Sequence, residues 1–254
     1  MTRPALGLVL HGTRNAAGTA IAEALTARVR RAAGGLRVGL CFADVRRPTV
    51  ADFLSAMQAA TPGPVVLVPA FLAAGYHVAV DVPAQVASSG RDDVALAAPL
   101  GPDRALVTAA ADRLATAGWQ RGDAVVFAAA GSSDPRAMND VAAAARSFAR
   151  RLCAPVHVGY VATGQPRVRD LVMSLRAAGA HRVAVASWLL APGAFQNALA
   201  NCGADVVADP LGTHSAVVSA ILTRYHRATR TSSAEALSPV DGSRIALKPI
   251  TLIP

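Results

Sequence analysis

Three ionisable residues stand where short apolar runs end. His11 closes LVLH, Asp44 closes CFAD and His77 closes FLAAGYH. Two imidazoles and one carboxylate suit a particular task. Neutral imidazole is a ligand for Fe2+, Co2+, Ni2+ or Zn2+, and it is the side chain that exchanges protons near neutral pH. A reaction that trades protons for a divalent metal needs both properties in one place. Taken singly, each residue also has an ordinary structural reading. A histidine at a strand end often serves only a hydrogen bond, and Asp44 is placed to cap a helix starting near Pro48.

An internal repeat favours chemistry. Ala5–Ala33 (ALGLVLHGTRNAAGTAIAEALTARVRRAA) is matched by Ala124–Leu152 (AVVFAAAGSSDPRAMNDVAAAARSFARRL), and VVLVPAFLAAGYHV by VAVASWLLAPGAFQ. FADVRRPTVADFL is matched in turn by YVATGQPRVRDLV. His11 then faces Ala130, Asp44 faces Ala162 and His77 faces Phe195, while Gly131, Pro166 and Gly193 persist. Losing all three ionisable groups while keeping the turn residues is hard to explain if those groups served the fold. One half is expected to do chemistry and the other to complete a pocket.

The elements that must position these residues follow from the pattern. Apolar runs at Leu6–Leu10, Arg37–Ala43, Val65–Leu72 and Val94–Leu100 read as strands buried on both faces. So do Ala124–Ala130, Val156–Ala162, Arg182–Leu190 and Asp205–Leu211. Between them lie Ala- and Arg-rich stretches at helical spacing, such as Ile21, Leu25 and Val29. The alternation predicts an α/β fold of two parallel βαβ lobes. His11, Asp44 and His77 then share the carboxyl edge of one sheet, where open α/β sheets bind ligands. The expected organisation is a lobe at 1–118 carrying the three residues, a degenerate lobe at 119–228 and a loosely ordered tail at 229–254. The repeat offset falls from 118 residues at His77/Phe195 to 111 at the two Pro-Leu-Gly motifs, so the first half holds about seven extra residues directly after His77.

Composition narrows the function classes. The chain has 254 residues, is 53% hydrophobic and carries a net charge of +9. All basic residues but Lys248 are arginine, no basic run forms an arm, and aromatics are only 4%. That argues against nucleic acid as a partner and leaves a positive field suited to a polyanionic small molecule. Cys41, Cys153 and Cys202 are far apart, with no CxxC spacing for zinc or an iron–sulfur cluster. No stretch reaches membrane-spanning length, and no secretory signal is apparent. The expectation is a soluble, cytoplasmic monomer or homodimer without a membrane partner. His157, His181, His214 and His226 are read as surface or capping residues. Trp188 and Phe195 are read as core, and Ser132-Ser133-Asp134-Pro135 as a turn and helix cap.

LVLHGTR and VPAFLAAGYHVAVDVP resemble the L-V-x-H-G-S-R and P-x-F-L-x-x-G-x-H-x-x-x-D-I-P segments of the sirohydrochlorin chelatases, class II tetrapyrrole chelatases. FADVRRP is similar to their F-L-E-x-x-x-P segment, with Asp44 in place of the usual Glu. The resemblance spans residues 5–228, in a long form with a degenerate second half. It implies a bilobal chelatase fold with the site in the cleft between lobes, and insertion of a divalent metal into sirohydrochlorin without ATP or an organic cofactor. On this resemblance His11 and His77 handle metal and protons, and Asp44 is the third ligand. Thr13, Arg14, Gly75 and Arg46 lie beside them as substrate-binding residues, the arginines for the macrocycle's carboxylates. Iron is the favoured metal and cobalt the alternative. Arg47 stands at an often acidic position and is not assigned to the site.

Two rivals remain. A histidine phosphatase also places His-Gly after its first strand but has Arg before that His, where Leu10 stands here; no G-x-S-x-G elbow or P-loop occurs. A metal or tetrapyrrole carrier would use the same ligands without turnover.

Overall fold

The computed structural model describes residues 3–60 and 62–237. It contains two four-stranded parallel sheets flanked by helices. The first sheet holds β1 (Ala5–Leu10), β2 (Val38–Phe42), β3 (Val65–Pro69) and β4 (Val94–Leu96) in the order β2-β1-β3-β4. The second holds β5 (Ala124–Gly131), β6 (Val156–Thr163), β7 (Val183–Trp188) and β8 (Val206–Val207) in the order β6-β5-β7-β8. The α/β class and the two parallel lobes agree with the sequence reading.

Strands β3, β4 and β8 are shorter than their apolar runs. Ala70, Ala97, Leu100 and Leu211 are buried beyond the strand ends, where they fill the core as loop residues. Burial alone gives an apolar run; a strand also needs a ladder partner.

Helices α1 (Ala16–Ala32), α2 (Val50–Ala60) and α3 (Val82–Ser88) belong to the first lobe, with a π-helical turn at His77–Asp81 leading directly into α3. Asn15 caps α1 by accepting the N–H groups of Ala17 and Gly18, and Arg30 and Arg31 stand in its last turn. The buried stripe of α1 is Ala22, Leu25, Thr26 and Val29, so Ile21 lies beside it. On the other face of the sheet, Phe53 of α2 lies flat on β1 and β2. A Cβ on Gly7 or Gly39 would come within 2.6 Å or 2.3 Å of that ring. The second lobe carries α5 (Pro135–Leu152), α6 (Val168–Ala177) and α7 (Ala194–Ala200). Asp134 caps α5, with Pro135 at its first position. The extra residues after His77 are helical: the π-turn and α3 run from 77 to 88, against 194–200 for α7.

Two helices cross between lobes. α4 (Arg104–Thr116) packs on α5 and β7 of the second lobe, and α8 (Ser215–Leu237) packs on α1, β3 and β4 of the first. Tyr225 donates its hydroxyl to the Pro4 carbonyl at 2.6 Å, and Arg224 donates to the carbonyls of Pro99 and Leu100 at 2.8 and 2.9 Å. One apolar core therefore runs through the inner faces of both sheets, while each outer face has its own. The sequence boundary at 118 separates the repeats, yet α4 stands on the far side of it. The boundary at 228 falls inside α8, and residues 238–254 of the expected tail lie outside the described residues.

Candidate metal centre

The order β2-β1-β3 makes the end of β1 a topological switch point, from which the chain turns to opposite sides. His11 is the first residue past β1. Its carbonyl accepts the Asp44 N–H at 3.0 Å, one step beyond the Ala43 N–H to Leu10 carbonyl bond at 2.8 Å. The parallel ladder thus sets His11 and Asp44 side by side. Gly12 then turns the chain away at φ +98°, and a Cβ there would stand 2.2 Å from the Asp44 carbonyl oxygen.

Asp44 does not cap α2. Its carboxylate accepts the Val45 N–H at 2.6 Å, while Thr49 and Asp52 bond each other around the start of that helix. His77 opens the π-helical turn beyond β3, and its ring lies 4.3 Å from that of His11 at 60°. The ligating atoms of His11, Asp44 and His77 all lie within 4.8 Å of one another. Among the described residues no other group of three histidines, cysteines or carboxylates meets this geometry. Phe71 stands beside the pair, 6.4 and 6.3 Å from the two imidazoles.

Two neighbours absent from the sequence-based assignment complete the arrangement. Asp81 Oδ2 lies 2.5 Å from His77 Nδ1. A carboxylate there assigns the proton to Nδ1 and leaves the Nε2 lone pair for a ligand or a proton. One turn further on, Gln85 donates to the Ala43 carbonyl at 2.8 Å and accepts the Val50 N–H at 3.0 Å. It ties the His77 helix to the segment that carries Asp44. His77, Asp81 and Gln85 are spaced i, i+4, i+8, a signal readable in the sequence. Cys41, three residues before Asp44, is no ligand: burial pushes its thiol well up, and its S–H faces the Leu8 carbonyl at 3.7 Å.

The remaining candidates lie outside the ligating triplet. Arg14 is exposed. Arg46 donates to the Thr13 carbonyl at 3.3 Å, bracing the loop after His11. Arg47 is held by both oxygens of Asp52, at 3.1 and 3.0 Å. Thr13 and Gly75 mark where the lobes meet. A Cβ on Gly193 would lie 3.8 Å from Thr13 Oγ1, and one on Gly75 would lie 3.8 Å from Ser132 Oγ. Because Ser132 and Gly193 are the repeat partners of Thr13 and Gly75, these two contacts form a pseudo-twofold pair.

In the second lobe the corresponding space is filled differently. The Arg167 guanidinium donates to the carbonyls of Val161 and Ala162, at the position of the lost carboxylate. Trp188 is core, as expected. Phe195 is not: it is 45% exposed, because it stands in the first turn of α7 at the sheet edge, much as His77 begins its own helix.

The sequence model of the CbiX family matches residues 5–117 and 124–228. No curated protein is matched. Among solved structures, SirB from Bacillus subtilis with Fe3+ superposes with a TM-score of 0.79 at 20% identity, over 92% of this chain and 98% of that one. SirB from Bacillus subtilis subspecies spizizenii in complex with cobalt, a sirohydrochlorin chelatase, gives 0.74 at 19%, over 92% and 98%. CbiX, the terminal enzyme for biosynthesis of siroheme in denitrifying bacteria, gives 0.64 at 19%, over 88% and 99%. These likenesses carry the fold. No helix among the described residues is long and apolar enough to cross a membrane.

Proposed function

The chain belongs to the CbiX family, the sirohydrochlorin chelatase family that its motifs resemble, and from that premise we propose that it inserts a divalent metal, Fe2+ by preference, into sirohydrochlorin. The observation that supports this most is the convergence of His11, Asp44 and His77 in one lobe only, with Asp81 on the back of His77.

The reaction exchanges M2+ for two pyrrole N–H protons, so charge balances if the site delivers a dication and removes two protons. His11, His77 and Asp44 hold the ion. Ligands about 2.1 Å from a metal stand roughly 3–4 Å apart, so the three groups need only modest side-chain rotation to close on it. As the metal leaves them for the macrocycle, the imidazoles of His11 and His77 become free to accept one proton each, His77 at Nε2. Asp81 then stabilises the imidazolium through Nδ1–H. Val45, Tyr76 and Val80 are exposed around the ligands, with Tyr76 at 61%. They offer an apolar shelf for a flat ring. Arg14 is open to a peripheral carboxylate, and Arg46 keeps donors beyond the one given to Thr13. Thr13 and Gly75 shape the seam at which the ring would enter.

The test is an anaerobic spectrophotometric assay with sirohydrochlorin and Fe2+, repeated with Co2+. Insertion above the uncatalysed rate is expected, and His11→Ala and His77→Ala should each remove most of it. Wild-type rates in both variants would sink the site assignment. Cobalt insertion is the second reading, because two imidazoles and one carboxylate accept either ion. Stoichiometric uptake without turnover would indicate a carrier.

A further inference from the structure

We infer that Asp140, on the lobe without the ligand triplet, is a positioning residue for His77. Its Oδ2 accepts the backbone N–H of Ala74 at 2.9 Å, across the seam between lobes. Ala74 lies three residues before His77. The carbonyl of the next residue, Gly75, accepts the N–H groups of Val78 and Ala79, both at 3.0 Å, and so closes the first turn of the His77 helix. No side chain caps that helix start. A charge-assisted bond to Ala74 therefore fixes the backbone from which the His77 ring projects.

The repeat makes the contact stand out. The pseudo-twofold pair Thr13–Gly193 and Ser132–Gly75 is kept on both sides of the seam. The Asp140–Ala74 bond is made on one side only. By the repeat offsets Asp140 corresponds to Ile21, which has no acceptor, and Ala74 to Pro192, which has no N–H. The carboxylate is present only where its partner loop leads to an imidazole of the site. The degenerate lobe thus contributes to the site through backbone geometry while supplying no ligand.

The inference rests on the chelatase reading only for its rate arm. The primary test uses the full-length, metal-free protein and the ring 15N and 1H signals of its histidines at one fixed pH. Asp140→Ala should displace the His77 signals, and Asp140→Asn, which retains an acceptor oxygen, should restore them. Ala74→Pro, which removes the donor and copies Pro192, should displace them as Asp140→Ala does. Val141→Ala trims the buried core beside Asp140 on the same helix. It should lower stability and leave the His77 signals in place.

In the insertion assay, Asp140→Ala should lower kcat roughly three- to tenfold, less than loss of a direct partner of a metal ligand, with KM for the macrocycle nearly unchanged. Unmoved His77 signals in both Asp140→Ala and Ala74→Pro would overturn the inference, as would equal displacement in Val141→Ala. Displaced signals in a protein that inserts no metal would instead overturn the chelatase reading and leave the positioning role standing.

Discussion

In the first lobe the N–H of Phe42 donates to the Pro48 carbonyl at 2.9 Å; in the second the N–H of Tyr160 donates to that of Pro166 at 2.9 Å. Gly12 and Gly131 both turn at positive φ against a carbonyl at or just past the end of the neighbouring strand, that of Asp44 or Thr163. The two backbones therefore agree down to individual turns. They differ at the strand ends: two histidines and an aspartate in one, Ala130, Ala162 and Phe195 in the other. Fold and chemistry are separable within one chain. The second lobe kept what the backbone needs and lost what a metal would need.

The sharpest way to break this comparison is to exchange loss of function between matched positions. His77→Ala should cost at least about a hundredfold in insertion rate, since it removes the proposed ligand and base at once. Phe195→Ala, at the matching position, should leave turnover within severalfold. A comparable loss at Phe195 would mean that the second lobe also does chemistry.

Next comes the support of the ligand. Asp81→Asn should slow insertion about ten- to a hundredfold, as removal of a partner behind a ligating histidine does elsewhere. It should also weaken Co2+ binding, read from the visible absorption of the bound ion. Unchanged affinity would remove Asp81 from its role.

Stability gives a smaller contrast. Each lobe pins the entry to its last strand with an Arg–Asp pair. Arg91 donates to both oxygens of Asp93 at 2.8 Å and to the carbonyls of Leu54 and Gly63 at 3.1 and 2.7 Å. Arg176 donates to Asp205 and to the Gly203 carbonyl, both at 2.9 Å. Arg91 is only 8% exposed and Arg176 40%. Arg91→Ala strands two carbonyls and a carboxylate and should cost about 2 kcal/mol in a denaturant titration. Arg176→Ala should cost under about 1 kcal/mol. Equal losses would show that burial does not separate the pairs.

Both aspartates titrate below the usual carboxylate range, Asp93 through its bond to Arg91 and Asp205 through the Val183 N–H and then Arg176. A depressed folded value means that the stabilisation is fully present above the unfolded value of about 4 and is lost as pH falls through the folded value. Below about pH 4, Arg91→Ala should therefore lose less further stability than the parent. The smallest effect belongs to Phe195→Ala on stability, within about 0.5 kcal/mol, because nearly half of that side chain is already in solvent.

Much of this was legible in the sequence because it is local. Strand runs bounded by Gly and Pro, the Asp134 cap, and three ionisable groups at strand ends are each written within a few residues. Phe195 was misread because an aromatic among apolar neighbours looks like core until the sheet edge beneath it is located. Asp81 and Gln85 carried an i, i+4, i+8 signal, but their targets, His77 Nδ1 and the Ala43 carbonyl, exist only once β2 and the His77 helix are neighbours. The destination of α4 was not legible at all. Its apolar face, Leu106, Val107, Ala110 and Leu114, shows that it covers a sheet but carries no mark of which sheet.

That exchange has a consequence for how the molecule comes apart. Cutting the chain at 118 would give one piece whose sheet lacks α8 and keeps an α4 with nothing to cover, and a second piece with the opposite defect. Each fragment would expose the apolar surface that the other conceals. They should therefore fail as separate domains yet reassociate when co-expressed, and the intact protein should melt in a single transition.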